Sequence, residues 1–182
     1  RQGSSTSVAW RTAVSRAITA WTVRTGQPEP ELIVAHSHSH SDHTAGDAQM
    51  AARPNTTVVG TSFGEMHGFF GFTNWPIDTV QYDLGGRVIE VIPTPGHHGT
   101  GISFYDPHTQ LLLTGDIVYP GHLFVFGLAV WQEFKDSIER LRDFAVANPV
   151  KWVLGCHIEF TSQPFGCLPW GTTAHPDEHV LE

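Results

Sequence analysis

The sequence predicts a layered α/β domain, and three observations carry that expectation. Seven short apolar runs, several of them β-branched, are set apart by turn residues. Two longer stretches repeat apolar residues at helical spacing. With 40% hydrophobic and only 15% charged residues, both kinds of element are apolar enough to bury a face against the other.

In chain order, residues 6–21 read as an amphipathic helix. Trp10, Val14, Ala17, Ile18 and Trp21 share a face, Ser and Thr residues ahead of them can cap it, and Gly26 and Pro28 end it. Residues 32–35 form an apolar run that leads at once into histidines, as a buried strand feeding a polar loop would. Residues 44–52 suit a short helix and 56–59 a strand. In residues 61–77, Phe63, Phe69, Phe70, Phe72 and Trp75 alternate with Gly64, Gly68 and Gly71. That pattern reads as an aromatic loop or a broken helix, either walling a pocket or, the commoner fate of such residues, filling the core. Strands are expected at 79–84, 88–92, 102–105 and 111–114, with turns at Gly85-Gly86, 93–99 and Asp106-Pro107. Residues 131–147 are the clearest helix: Trp131, Phe134, Ile138, Leu141 and Ala145 recur at its period, Asp136 and Arg140 form an i,i+4 pair, and Asn148-Pro149 stops it. A last strand, 152–154, runs into Gly155-Cys156-His157.

The chain has 182 residues, which suits a single domain spanning 1–182. Ten basic against eighteen acidic residues, net −8, argue against a nucleic-acid partner. No apolar run reaches the roughly 18 residues of a membrane span, so a soluble protein is expected, cytoplasmic or exported. Cys156 and Cys167 are too few for a disulfide framework and are either thiols or one bridge. Cys156 is expected to pack as a small hydrophobe.

Histidine is the outlier. There are twelve, four of them between positions 36 and 43. In His38-Ser39-His40-Ser41-Asp42-His43 the alternating histidines put two imidazoles on one side of an extended chain. Asp42 and His43 follow in the turn and point elsewhere. Two adjacent ligand sets suit two metal ions, zinc first, with iron or manganese as alternatives. Further candidates leave strand ends beside glycines: His97 and His98 after Pro95-Gly96, Asp116 after Gly115, and His157 after Gly155-Cys156. Strand ends on one sheet edge converge, and sites are built there.

Four segments resemble the metallo-β-lactamase superfamily in order and spacing: His38 to His43, Thr94-Pro95-Gly96-His97, Thr114-Gly115-Asp116 and Gly155-Cys156-His157. The resemblance implies a four-layer αββα sandwich with a two-metal site at one edge. It implies His38, His40 and His97 on the first metal, Asp42, His43 and His157 on the second, and Asp116 bridging both. His98 falls outside the ligands. Members usually begin with strands that precede the first helix here, so the domain is expected to be N-terminally incomplete.

The implied chemistry is hydrolysis by a metal-bridging hydroxide, with Asp42 orienting it. Asp116 resembles the bridging ligand of glyoxalase II-like thioesterases, lactone hydrolases and phosphodiesterases, which true β-lactamases of the superfamily generally lack. His40 stands where the oxygen-reducing diiron branch carries Glu. Tyr119 has the offset from Asp116 found in acyl-homoserine-lactone hydrolases, where it would donate to an oxyanion. Residues 61–77 and Leu123-Phe124-Val125-Phe126 contain no Lys or Arg, which disfavours a glutathione thioester with its carboxylates. The expected function is therefore cleavage of an ester-type bond (lactone, ester or thioester) in a small, largely apolar substrate. The alternatives are a β-lactam or phosphodiester hydrolase of the same superfamily, or a non-catalytic binding domain that keeps the fold.

Overall fold

Helix α1 (Ser7–Thr25) opens the computed structural model, which describes residues 7–163 and 165–168. It outlasts the predicted 6–21 and ends where Gly26 takes φ 66° and donates its N–H to the Thr22 carbonyl at 2.9 Å. Val14, Ile18 and Trp21 are half-buried on the expected face, Ala17 is exposed, and the side chain of Trp10 lies outside the described part. Strand β1 (Leu32–Val34) follows. The helix expected over 44–52 is instead two pieces, α2 (Ser41–Thr44) and α3 (Asp47–Ala51). Gly46, a poor helix former, sits at the break, and Asp47 opens a fresh first turn where its charge suits the helix N-terminus. The earlier start of α2 carries Asp42 and His43 on a helical turn.

After β2 (Thr56–Val58), residues 63–70 form a proper helix, α4 (Phe63–Phe70). Ser62 and Glu65 make a capping box, and Gly71 closes the other end at φ 79°. These caps, with Met66 and Phe70 buried, override the interleaved glycines. Strands β3 (Val80–Asp83), β4 (Val88–Pro93), β5 (Ile102–Asp106) and β6 (Leu111–Gly115) come where they were expected. A 3-10 turn (Leu128–Val130) leads into α5 (Trp131–Ala147), and β7 (Trp152–Gly155) follows. On α5 Lys135 and Glu139 form an i,i+4 ion pair; Arg140 feels the Asp136 charge as expected and also donates to the Pro93 carbonyl at 2.9 Å, tying the helix to the end of β4.

Strands β3-β4-β5-β6-β7 form one sheet, antiparallel except for the parallel pair β6-β7; β1 and β2 pair in parallel separately. Because β5 runs against both its neighbours, β4, β6 and β7 all point the same way. The larger sheet is covered on both faces, as strict alternation along β4 requires: Val91 and Ile92, neighbours in sequence, enter opposite cores. Val91 packs with Ile102, Val59, Met66, Phe70 and Phe72 beneath α4 and the β1-β2 pair. Ile92 packs with Tyr105, Leu112, Phe134 and Leu141 beneath α5. Helix α3 lies on β2, and α1 on α3. The order is helix, five-stranded sheet, two-stranded sheet, helix, which is the αββα arrangement with a first sheet of two strands among the described residues. Phe70 and Phe72 thus fill the core rather than wall a pocket. Among the described residues no helix is long and apolar enough to cross a membrane.

Candidate metal centre

Strands β4, β6 and β7 deliver their following residues to one edge of the sheet. The chain after β1 is brought to the same edge by the Ile102 N–H, which donates to the Ser37 carbonyl at 2.8 Å. Two glycines let the loops close up. At Gly96 (φ 125°) an added Cβ would stand 2.3 Å from the backbone of Phe134 on α5. At Gly115 (φ 57°) it would stand 2.5 Å from the Ser37 side chain. A side chain at either place would drive apart the segments that carry His97, Asp116 and His38.

The structure brings together all seven residues singled out as ligands. His38 Nε2 lies 2.9 Å from His40 Nδ1, and His97 Nε2 lies 3.1 Å from the same atom. Beside this trio, Asp42, His43 and His157 offer a second set of donors within 4.8 Å of one another. Asp42 Oδ2 is 3.6 Å from His43 Nε2 and 3.7 Å from His157 Nε2. Asp116 stands between the sets. Its Oδ2 is 3.1 Å from His157, 3.3 Å from His43, 3.5 Å from His97 and 3.8 Å from His38, each measured to Nε2.

The residues present fit divalent cations. His38, His40 and His97 offer three imidazole nitrogens within 4.8 Å of one another. Asp116 Oδ1 is buried without a hydrogen-bond partner, an arrangement that is costly unless something else satisfies it. Five imidazoles and two carboxylates form a donor set for zinc, iron or manganese.

Burial and the neighbouring His43 hold the His38 pKa down near 3, and burial lowers that of His97. Both rings are therefore neutral at pH 7, with lone pairs to offer. Burial also works against a charge on His43, but the Asp116 carboxylate outweighs it and raises the pKa to about 10. Burial likewise opposes the Asp116 charge, yet its hydrogen bonds from His157 and His43 keep it well below the usual carboxylate range.

Sequence reasoning missed the groups that aim these rings. The Ser37 hydroxyl lies 3.1 Å from His38 Nδ1 and 3.5 Å from His43 Nδ1, so one side chain orients a member of each set. His97 Nδ1 donates to the Phe124 carbonyl at 2.9 Å. A serine wedged before a His-x-His pair was a visible signal; a backbone carbonyl 27 residues away was not. His98 stays outside the cluster, bonding Ser39 at 2.9 Å and Thr100 at 3.0 Å. His36 faces Asp47 at 2.9 Å.

Tyr119 is buried, with its ring 5.3 Å from that of His157 and its hydroxyl donating to the His122 carbonyl. Cys156 does not pack as a core hydrophobe. It lies past the end of β7, exposed, and close enough to His43 to help raise that ring's pKa. Cys156 and Cys167 do not form a disulfide. His175 and His179 lie outside the described residues.

A family model described as the metallo-beta-lactamase superfamily matches residues 19–152. Hydroxyacylglutathione hydrolase of Brucella ovis is 28% identical over 149 residues, 80% of this chain and 54% of that protein. The hydroxyacylglutathione hydrolase of Rhodospirillum rubrum is 26% identical over 132 residues, 70% of this chain and 48% of that protein. The chain thus spans about half the length of these relatives. A solved metallo-beta-lactamase from Pontibacter korlensis superposes with a TM-score of 0.50 at 21% identity, over 78% of this chain and 67% of that one, a likeness of fold alone.

Proposed function

The chain belongs to the metallo-β-lactamase superfamily, and from that premise we propose that it is a dinuclear metal-dependent hydrolase of ester-type bonds in small, largely apolar substrates. The observation that carries this reading is the shared carboxylate: Asp116 Oδ2 is within 3.8 Å of ring nitrogens from both donor sets. In this reading His38, His40 and His97 hold one cation, Asp42, His43 and His157 the other, and Asp116 bridges them. When bound, two divalent cations supply an activated water and polarise the scissile carbonyl.

The chain's own groups do the rest. His38 and His97, neutral and desolvated, present lone pairs whose direction is set by Ser37 and by the Phe124 carbonyl. Asp42, with a side chain 31% exposed, is the carboxylate open to solvent and accepts the proton of the attacking water. Tyr119 positions His157 through ring packing. Donation to an oxyanion requires its hydroxyl to exchange the His122 carbonyl for the substrate.

The named relatives act on a glutathione thioester, whose carboxylates call for cationic partners. Segments 36–47, 94–101, 116–130 and 155–168, which surround the site, contain no Lys or Arg. The chemistry therefore fits a thioester, ester or lactone without the glutathione moiety, and the same lack of cations speaks against nucleic acid. The test loads the protein with zinc or manganese, measures metal by elemental analysis, and assays lactones, thioesters, phosphodiesters and β-lactams. We expect about two ions per chain and turnover of lactones, esters or thioesters that EDTA abolishes and metal restores. Ester hydrolysis by metal-free protein, or activity on β-lactams or phosphodiesters alone, overturns the reading.

A further inference from the structure

Between Asp116 and α5 the chain passes through Leu123-Phe124-Val125-Phe126, and its side chains divide. Val125 packs into the core beneath α5 with Ile92, Leu112 and Phe134. The rings of Phe124 and Phe126 lie nearly parallel, 13° apart with centroids at 6.4 Å. The Phe126 ring stands edge-on to His40 at 5.7 Å and 5.3 Å from His97. It touches two of the three histidines of the first set and is nonetheless 64% exposed. A large apolar ring left mostly in water forgoes the burial that usually places such residues in a core. The segment is also held in place: Phe124 accepts the His97 Nδ1 hydrogen bond at 2.9 Å, and the Gly127 N–H donates to the Val125 carbonyl at 3.0 Å. Residues 116–130 carry no Lys or Arg, and Leu123 and Leu128 nearby are exposed.

We propose that Phe126, stacked beside Phe124, is a specificity-determining shelf that takes the acyl group of the substrate. The class it selects is neutral esters, thioesters or lactones whose acyl part is aromatic or a medium-length alkyl chain. This rests on the metal-dependent hydrolase reading above. A carbonyl held at the first donor set has the Phe126 ring beside it on the His40–His97 side, so an apolar acyl tail covers the ring and removes both from water. Because His97 is aimed by a backbone carbonyl of the same segment, the shelf keeps its register with the reacting carbonyl. A short or charged acyl group gains nothing there.

The test compares acetohydroxamic acid with phenylacetohydroxamic acid, which share a metal-binding head and differ in the tail. Affinities are read by titration calorimetry on the zinc-loaded chain, and zinc is measured on the same samples. The wild type should bind the phenyl compound roughly tenfold more tightly. In Phe126→Ala that ratio should fall below about two, and in Phe126→Leu, which keeps an apolar surface, it should be intermediate. A ratio near one in zinc-replete wild type, or an unchanged ratio in Phe126→Ala, overturns the shelf alone. A chain that takes up no zinc overturns the shelf together with the reading beneath it.

Discussion

His38, His40 and His97 form the more closed triad, in which His38 and His97 are held neutral by burial, while Asp42, His43 and His157 form the more open one. His38 and His97 are 3% and 8% exposed; the side chains of Asp42 and His157 are 31% and 22% exposed. Nitrogens in the first set approach to 2.9 and 3.1 Å, whereas Asp42 stands off at 3.6 and 3.7 Å. The first set hangs on the exits of β1 and β4, with rings locked by Ser37 and the Phe124 carbonyl. The second hangs on α2, a four-residue helix, and on the exit of β7, the edge strand of its sheet. In the proposed dinuclear reading, the difference teaches how a shared carboxylate would serve two unequal sites. Folding has already ordered the donors of the first, so a cation there meets little further entropy cost. The second trades that order for a carboxylate donor and access to solvent.

Four measurements would break or sharpen this contrast. Asp116→Asn strikes both triads, so hydrolysis should drop by roughly a thousandfold or more and bound metal should fall at both sites. His157→Ala should be asymmetric: after dialysis, elemental analysis should find about one ion per chain where the wild type keeps about two, and loss of both would erase the distinction. Ser37→Ala unlocks one ring in each triad and should weaken metal affinity by about 10- to 100-fold; competition with a chelator reads the effect, which should fall harder on the tighter site.

The smallest effect is on stability in metal-free protein, where the triads titrate in opposite senses. An unfolded histidine takes its proton near 6.5, but buried His38 refuses it until about 3, so the unfolded chain binds more protons between those values and stability falls on acidification. His43 keeps its proton up to about 10, so between 6.5 and 10 the folded chain binds more and stability falls as pH rises. Each slope is at most about 1.4 kcal/mol per pH unit. Urea midpoints across pH should peak near 6.5, with His38→Asn flattening the acid limb and His43→Asn flattening the alkaline limb and shortening the acid one, because the His43 charge helps hold His38 down.

Much of this was legible in the chain. The strands and α5 were readable because their apolar period is local and strong, and β4 to β6 are punctuated by turns. Helix α4 is not legible from composition, because the interleaved glycines mask the Ser62-x-x-Glu65 cap that starts it. The break between α2 and α3 was missed because the run over 44–52 reads as one helix until Gly46 and Asp47 are weighed. Spacing pairs Arg140 with Asp136, and only the packing of α5 on the sheet adds the Pro93 carbonyl as its hydrogen-bond acceptor. A small thiol after a strand suggests a core position for Cys156, and only its place beyond β7 shows it exposed beside His43.

The sequence by itself determined which donors exist and where they cluster. His38 to His43 are neighbours in sequence, and a glycine one or two residues before His97, Asp116 and His157 marks each strand exit. Only the tertiary structure decided how they are shared. His40 meets His97 across 57 residues, and Asp116 meets His157 across 41. Which nitrogen each ring presents, which triad is dry and which ring of the 123–126 segment faces the histidines all depend on those contacts. The physical reason is that ligand type is a property of a side chain, whereas geometry and desolvation belong to the packing of distant segments, which a local pattern does not encode.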